Sequence, residues 1–331
     1  MARYFRILSL DGGGIRGVLT AVLLKRLNEL QPGFLEKVDL FAGTSTGGIL
    51  ALGLAYGLTP DQCRDLYTQH GKAIFANPVP DWLDGGGVFG ARYPNDNLVQ
   101  VLNDHFGGAS LGDLRKHVLI SSFDLDNFEN ETEDPSKFRT WKAKFFHNFV
   151  EEERGSDAKE AIVDVALRTS AAPTYFPIYD GYVDGGVVAN NPSVCAVAQA
   201  LDSGRLRNPP PALGAEGGPG AEPRPVGLAD VVVLSVGTGR NQQYVTRQQG
   251  ANLGLMQWAT HLVSILIDGT ADVADYQCRQ LLGPRYCRVT PTLREEISLD
   301  SYRKVNRLIE IATDADISHA VNWLKTYFAD D

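Results

Sequence analysis

The sequence contains few cysteines and no cluster of basic residues. Its four cysteines are scattered over 331 residues without a CxxC pair, which argues against a disulfide framework or a zinc-ribbon site. The six histidines show no HxH or HExxH spacing, so we expect no metal site. With 31 Lys and Arg against 40 Asp and Glu, the formal net charge is −9, and the chain lacks the electrostatic footprint of a nucleic-acid-binding protein.

Long apolar segments are also missing. No stretch approaches the roughly 18 uncharged apolar residues that a membrane span requires. The N-terminal sequence MARYFRILSLDGGG has an apolar run too short for a signal peptide and leads directly into a glycine motif. We therefore expect it to form the first strand of the fold. Together with the scattered cysteines, these absences predict a cytoplasmic protein.

Strand and helix patterns alternate along the chain. Apolar residues recur at helical spacing over Gly17–Leu30, between short apolar runs typical of buried strands. The predicted strands include Tyr4–Leu10, Val38–Ala42, Val118–Asp124 and Asp230–Val236. This alternation predicts one α/β domain with a mostly parallel sheet that helices cover on both faces.

We expect the whole chain, residues 1–331, to form a single domain with its core at about 5–240. Residues 203–227 are dominated by Pro, Gly and Ala, which indicates a mobile surface insertion. A C-terminal extension, about 250–331, contains further helical patterns, one of them over Ser301–Tyr327, and carries no recognisable motif.

A glycine-rich turn joins the first predicted strand to the first helix. Asp11–Gly17 reads DGGGIRG, so Gly12, Gly14 and Gly17 have GxGxxG spacing. Glycines here expose successive N–H groups at a helix N-terminus, which suits either a phosphate or the oxyanion of acyl transfer. A dinucleotide site would need an acidic residue at the end of the second strand, whereas Asp39 begins it. A purely structural turn is the third possibility.

A second motif lies between a predicted strand and an apolar helix. Gly43, Ser45 and Gly47 form a GxSxG sequence, GTSTG. Such a strand–turn–helix bend is sharp, requires small residues, and exposes the serine hydroxyl at a helix N-terminus. We therefore predict that Ser45 is a nucleophile, whereas the alternative interpretation is an ordinary turn of small residues.

The base that would activate this serine is harder to find. Only His261 and His319 follow Asp184 in the chain, and both lie in helical patterns, so they are poor candidates for a loop-borne catalytic histidine. Asp184 instead ends a short strand and precedes Gly185 and Gly186, which open the backbone around it. Asp184 is therefore either the base or an ordinary turn residue.

The ordered set of motifs resembles the patatin-like phospholipases. Further matching segments are SAAPTYF at 170–176, NNP at 190–192 and SVGTG at 235–239, and the resemblance covers about residues 5–239. It implies a three-layer α/β/α fold and a Ser–Asp dyad, with Ser45 as nucleophile and Asp184 as proton acceptor. It also implies oxyanion-hole donors in Gly12, Gly13 and Gly14, with Arg16 close by.

The resemblance implies a lipid acyl hydrolase of the phospholipase A or lysophospholipase type. Ser45 attacks an ester carbonyl, Asp184 takes its proton, glycine amides bind the oxyanion, and water releases the fatty acid. A carboxylate with an ordinary pKa of about 4 is a weak base, so this scheme needs Asp184 to be partly desolvated. It requires no cofactor. The expected partners are a lipid ester and, transiently, a membrane surface.

Two other functions and one structural hypothesis stay open. The same chemistry could belong to a regulated, membrane-degrading effector, and the glycine turn alone could belong to a nucleotide-binding module. Trp82, Leu83 and Phe89 lie in a glycine-rich segment that could form a membrane-touching lid, or could fold back on the core. Because the chain is acidic, membrane contact would need apolar surface or a small basic patch.

Overall fold

A seven-stranded sheet forms the centre of the computed structural model, which describes residues 4–75, 90–128, 138–149, 157–206, 224–248, 252 and 254–329. The strands are β1 Phe5–Leu10, β2 Leu40–Thr44, β3 His117–Asp124, β4 Lys142–His147, β5 Tyr182–Asp184, β6 Arg205–Leu206, β7 Arg224–Pro225, β8 Val231–Val236, β9 Arg240–Asn241, β10 Tyr286–Val289 and β11 Thr292–Leu293. The sheet order is β10-β8-β1-β2-β3-β4, and β5 also pairs with β3.

The sheet is mostly parallel, as the sequence predicts. β10, β8, β1, β2 and β3 run parallel, and only β4 and β5 run antiparallel to β3. Every residue of β1, β2 and β8 is buried. Strands buried along their whole length are typical of the centre of a sheet that helices cover on both faces.

Helices lie on both faces of the sheet. They are α1 Gly17–Leu30, α2 Thr46–Tyr56, α3 Pro60–Ile74, α4 Asp96–Phe106, α5 Ile162–Ser170, α6 Gly186–Ala189, α7 Ser193–Ser203, α8 Leu255–Leu282, α9 Val305–Asp314 and α10 Ser318–Tyr327. Alternate strand residues separate into two apolar clusters, with Leu8 and Phe41 in the larger one and Ile7 and Leu40 in the smaller. α7 and α8 cover the smaller cluster, which confirms the three-layer α/β/α fold.

The C-terminal region differs in detail from its predicted form. The helical pattern over Ser301–Tyr327 contains two helices, α9 and α10, and the backbone N–H of Ser318 donates to Asp316 Oδ1 (2.9 Å) where the second one begins. This bond satisfies an N–H of the first helical turn, which lacks a partner within the helix. β10 lies in the same region and forms one edge of the central sheet, so this part of the chain contributes to the core.

Two sequence predictions fall on residues that the structure does not describe. Trp82, Leu83 and Phe89 lie outside the described residues, as does most of the 203–227 insertion. At the ends of that insertion, β6 and β7 pair as a short antiparallel ribbon. Within the described parts of the chain, none of the helices is long and apolar enough to cross a membrane.

Candidate active site

Ser45 occupies a strained bend between β2 and α2. Its backbone has φ 54° and ψ −125°, a conformation that a non-glycine residue rarely adopts. Gly47 permits the bend, because a Cβ there would lie 2.2 Å from the carbonyl oxygen of Leu10. The Ser45 N–H donates to Thr169 Oγ1 (2.8 Å) and fixes the turn. The bend thus has the geometry of a nucleophile elbow.

The sheet register brings Asp184 to the same place. β2 ends at Thr44, which pairs with Ser121 of β3, and the chain then turns away into α2. Beyond that point the edge of β3 is taken by β5, whose last residue, Asp184, pairs with Ser122. The two strands therefore meet head-on along one edge of β3, and Asp184 lies beside Ser45 although 139 positions separate them in the sequence.

The Ser45 side chain lies next to the Asp184 carboxyl, and both residues line the same cavity. Both residues are buried, and the N–H of Gly186 donates to Asp184 Oδ1 (2.7 Å). Burial raises the pKa of Asp184 to about 6, against the opposing effects of Ser45 and Gly186. The carboxylate therefore holds a proton more strongly than an ordinary aspartate and still ionises below neutral pH.

The glycine turn after β1 packs directly against Ser45. Gly13 and Gly14 line the same cavity as Ser45, which we call the Ser45 cavity. Within the described chain, their N–H groups have no hydrogen-bond partner. Gly14 has φ +56°, and a Cβ there would lie 2.2 Å from the carbonyl oxygen of Leu299. These two amides are therefore open to a ligand beside the serine.

Gly12 has a different role from the one predicted. Its N–H donates to the carbonyl oxygen of Asn190 (3.1 Å), and its own carbonyl accepts from Thr238 Oγ1 (2.9 Å). The amide is thus occupied by the protein itself. A Cβ on Gly12 would lie 2.3 Å from Asn190 Oδ1 and 3.3 Å from Ser45 Cβ, so the position needs glycine for close packing.

Arg16 lies next to the glycine turn, as expected, but it lines a different cavity from Ser45. Its guanidinium does not line the Ser45 cavity but a separate polar one of about 550 Å³, the Arg16 cavity, together with Asp11 and Asp268. Burial lowers the pKa of Arg16, and the charge of Asp268 opposes that effect. The Arg16 N–H donates to the carbonyl oxygen of Gly13 (3.1 Å), so this residue supports the glycine turn from behind.

An apolar cavity of about 200 Å³ opens next to Ser45 and Asp184. Most of its wall is aliphatic or aromatic, contributed by several helices, and includes Ile49, Leu66, Phe75, Leu98, Leu102 and Phe176. Such a wall excludes water and accommodates hydrocarbon. The hydroxyl of Ser45 and the carboxyl of Asp184 thus face a largely apolar space.

The sequence alone did not predict three contacts that support the site. Thr169 and Asn190 hold the Ser45 bend and the glycine turn, and both lie in or beside segments that carried the family resemblance. Arg288 of β10 forms a two-point ion pair with Asp11 (Nη1–Oδ1 3.1 Å, Nη2–Oδ2 2.5 Å). No local signal identifies that pair, because its members are 277 positions apart.

The histidines do not join this site. His261 is exposed on α8, and His319 Nε2 contacts the carbonyl oxygen of Arg288 (3.2 Å). Neither residue lines the Ser45 cavity. In the part of the chain that the structure describes, no group of three or more His, Cys, Asp or Glu side chains is arranged to hold a metal ion.

Comparison with known proteins identifies the family. The sequence profile described as Patatin-like phospholipase matches residues 8–194, more than half of the chain. The chain belongs to the patatin-like phospholipase family. Because the matched range contains the glycine turn, the Ser45 bend and Asp184, the described site lies within the family's own domain.

Individual relatives differ in how much of their length the chain covers. CotR of Bacillus subtilis is 33% identical over 241 residues, which cover 72% of this chain and 64% of CotR. The chain thus spans slightly less than two thirds of that relative. A cGAMP-activated phospholipase of Pseudomonas aeruginosa is 28% identical over 302 residues, covering 89% and 81% of the two chains.

Among solved structures, human GIVD cytosolic phospholipase A2 is similar to this chain with a TM-score of 0.38 and 12% sequence identity, over 98% of this chain and 60% of that one. No conclusion about function follows from a similarity at this level.

Proposed function

We propose that this chain is a serine hydrolase that cleaves carboxylic esters of lipids through a Ser45–Asp184 dyad. Membership of the phospholipase family supports a lipid substrate. One observation carries the proposal for the dyad: Ser45, on its strained bend, lies beside the buried Asp184 carboxyl, and both line an apolar cavity.

In the proposed acylation step, Ser45 Oγ attacks the ester carbonyl while Asp184 accepts its proton. General bases work best when their pKa lies near the working pH, and a pKa of about 6 brings Asp184 close to that range. The position of Ser45 before the first turn of α2 favours developing negative charge on its oxygen. The tetrahedral intermediate then expels the alcohol, which takes the proton from Asp184, and leaves an acyl-enzyme.

Negative charge on the former carbonyl oxygen is stabilised by the amides of Gly13 and Gly14. Donors that point at a developing oxyanion contribute about 3–4 kcal/mol each in related chemistry. The acyl chain lies in the Ser45 cavity, and the head group faces outward. Water, activated by Asp184, attacks the acyl-enzyme and releases the fatty acid.

Hydrolysis assays on phospholipids, lysophospholipids and short-chain nitrophenyl esters test this proposal. We expect Ser45→Ala and Asp184→Ala each to lower kcat by at least about 10³-fold, since each removes a reacting group. Thermal unfolding of each variant serves as the control for folding. Full activity of folded Ser45→Ala on every ester would rule out Ser45 as the nucleophile.

A second form of the proposal adds control by a small molecule. The relative from Pseudomonas aeruginosa is named a cGAMP-activated phospholipase, and the similarity to it extends over most of both chains. An activator-dependent enzyme would hydrolyse phospholipid slowly alone and much faster with cGAMP. Equal initial rates with and without cGAMP would favour the constitutive enzyme.

A further inference from the structure

Helix α8 exposes an unusually apolar surface. We call this surface the α8 stripe and define it by six large side chains that are each more than 40% exposed: Trp258, Leu262, Ile265, Leu266, Val273 and Tyr276. Their spacing of three, four, seven and eight residues places them on one side of an α-helix. In ordinary amphipathic surface helices this side is polar.

The other sides of α8 are already in use. Ala271, Ala274 and Cys278 are buried, with Cys278 in the smaller core cluster, so the helix has a conventional inward face. Asp268 and Asp272 follow a third side, where they line the Arg16 cavity. The α8 stripe is thus a second apolar face, additional to the one that anchors the helix.

The stripe is continuous with the mouth of the Ser45 cavity. Leu266 is 45% exposed and also lines that cavity, so it marks the point where the cavity meets the surface. Val263 and Ile267, on the neighbouring side of α8, line the cavity further in. A shallow groove of about 330 Å³ flanks the stripe, with Ile265, Val273 and Val194 among its walls. An apolar path therefore leads from the exposed stripe to Ser45.

We propose that the α8 stripe docks on the surface of a lipid bilayer, and that lipid reaches Ser45 past Leu266. This inference rests on the proposed function, because a lipid ester has to leave the bilayer before it can reach the proposed dyad. A membrane occupant is favoured over a second protein copy because the stripe runs into the substrate cavity. Burying apolar side chains at the acyl boundary supplies the free energy of docking.

Charge distinguishes this surface from a basic membrane patch. No Lys or Arg occurs between Leu255 and Cys278. The acidic residues next to the stripe are Asp268 and Asp272, and the exposed Arg240 is ion-paired with Asp272. We therefore expect little attraction to anionic lipid at this helix. We expect binding to neutral phosphatidylcholine vesicles, and no tighter binding when anionic phosphatidylserine is added.

The test compares the full-length protein with the double variant Leu262→Glu/Ile265→Glu. Neither residue lines the Ser45 cavity. Vesicle co-sedimentation should show an affinity lowered by about 10- to 100-fold, because two apolar side chains no longer leave water. Hydrolysis of vesicle phospholipid should fall in parallel, while hydrolysis of a monomeric nitrophenyl ester stays within about twofold. Leu30→Glu on α1, also an exposed leucine, is the matched control and should change none of these.

A second measurement, tryptophan fluorescence quenching, tests the docking without introducing a charge into α8. Brominated phosphatidylcholine should quench tryptophan fluorescence of the wild-type protein, and Trp258→Phe should remove most of that quenching. Retained vesicle affinity in a folded double variant, or full quenching in Trp258→Phe, would overturn the proposal. A wild-type dimer that the double variant dissociates, with vesicle affinity unchanged, would assign the stripe to protein contact instead. If the wild-type protein bound vesicles through the stripe but hydrolysed none of the esters, the result would count against the proposed dyad and not against the docking surface.

Discussion

At the scale of single residues, burial of Asp184 links the proposed chemistry to pH. Its pKa of about 6 means that the carboxylate is the minor form below that pH. The base is active only when it is ionised, so acidification should remove activity without unfolding the site.

The first prediction concerns the pH dependence of kcat/KM with a nitrophenyl ester. The rate should rise about tenfold per pH unit below pH 6 and level off above it, because the profile follows ionisation of Asp184 in the free enzyme. Stopped-flow assays between pH 4.5 and 8 measure this directly. A profile that stays flat down to pH 4.5 would show that Asp184 is not the base.

The second prediction concerns stability. The folded chain keeps the Asp184 proton up to about pH 6, whereas an aspartate in the unfolded chain loses it near 3.8. The folded state therefore binds more protons in this window, and the free energy of unfolding decreases as pH rises from about 4 to 6. Removing the charge by Asp184→Asn should raise the unfolding free energy at pH 8 by up to about 3 kcal/mol.

Urea unfolding of wild type and Asp184→Asn at pH 4 and pH 8 tests the sign. The stabilisation should be present at pH 8 and absent at pH 4, where the wild-type carboxyl is protonated in the fold. Destabilisation by Asp184→Asn at pH 8 would contradict the account of a costly buried charge.

At the scale of elements, the ion pair between Asp11 and Arg288 links the glycine turn to the edge strand β10. Asp11 is buried and Arg288 is largely so, and Arg288 Nη1 also donates to Ser235 Oγ (2.6 Å) of the intervening strand β8. Burial alone would lower the pKa of Arg288, but the charge of Asp11 and the hydrogen bonds to it outweigh that effect and raise it. Burial raises the pKa of Asp11, and the charge of Arg288 opposes that effect. The two-point contact between the side chains holds the start of the turn.

The third prediction is that Arg288→Met destabilises the fold by about 3–5 kcal/mol, because it leaves the Asp11 carboxylate buried without its partner. The exposed pair of Arg240 and Asp272 provides a matched control, and Arg240→Met should cost less than about 1 kcal/mol. Chemical denaturation measures both. Equal small losses in the two variants would contradict a structural role for the buried pair.

Local patterns in the sequence predicted the elements that carry the site. The helical spacing of Leu19, Leu23 and Leu27 marks α1, whose predicted bounds agree with the structure. GTSTG predicts the bend, because a sharp turn between a strand and a helix requires small residues. The break between α9 and α10 has only a weak local signal in Asp316. The bonds of Gly12 to Asn190 and of Asp11 to Arg288 depend on how distant strands assemble, and no periodicity encodes that.

At the scale of the whole molecule, the sheet register brings Ser45 and Asp184 together, as the proposed dyad without a histidine requires. β3 is paired by β2 along one part of its edge and by β5 along the next, so two chain segments of opposite direction end at one point. Ser45 follows the first segment and Asp184 completes the second. The order of the motifs in the sequence indicates the family. The register of β2 and β5 along β3 accounts for the closeness of Ser45 and Asp184.

The Ser45–Asp184 contact is tested most directly by the rate and site of covalent labelling with a fluorophosphonate. Mass spectrometry of the wild-type protein should locate the adduct on Ser45, and Asp184→Asn should slow labelling by about 10²- to 10⁴-fold, the usual contribution of a general base. Ser170→Ala is the matched control, since Ser170 lines the same cavity but its hydroxyl donates to the carbonyl oxygen of Ala166 (2.6 Å). Labelling of another serine, or an unchanged rate in Asp184→Asn, would contradict the proposed dyad.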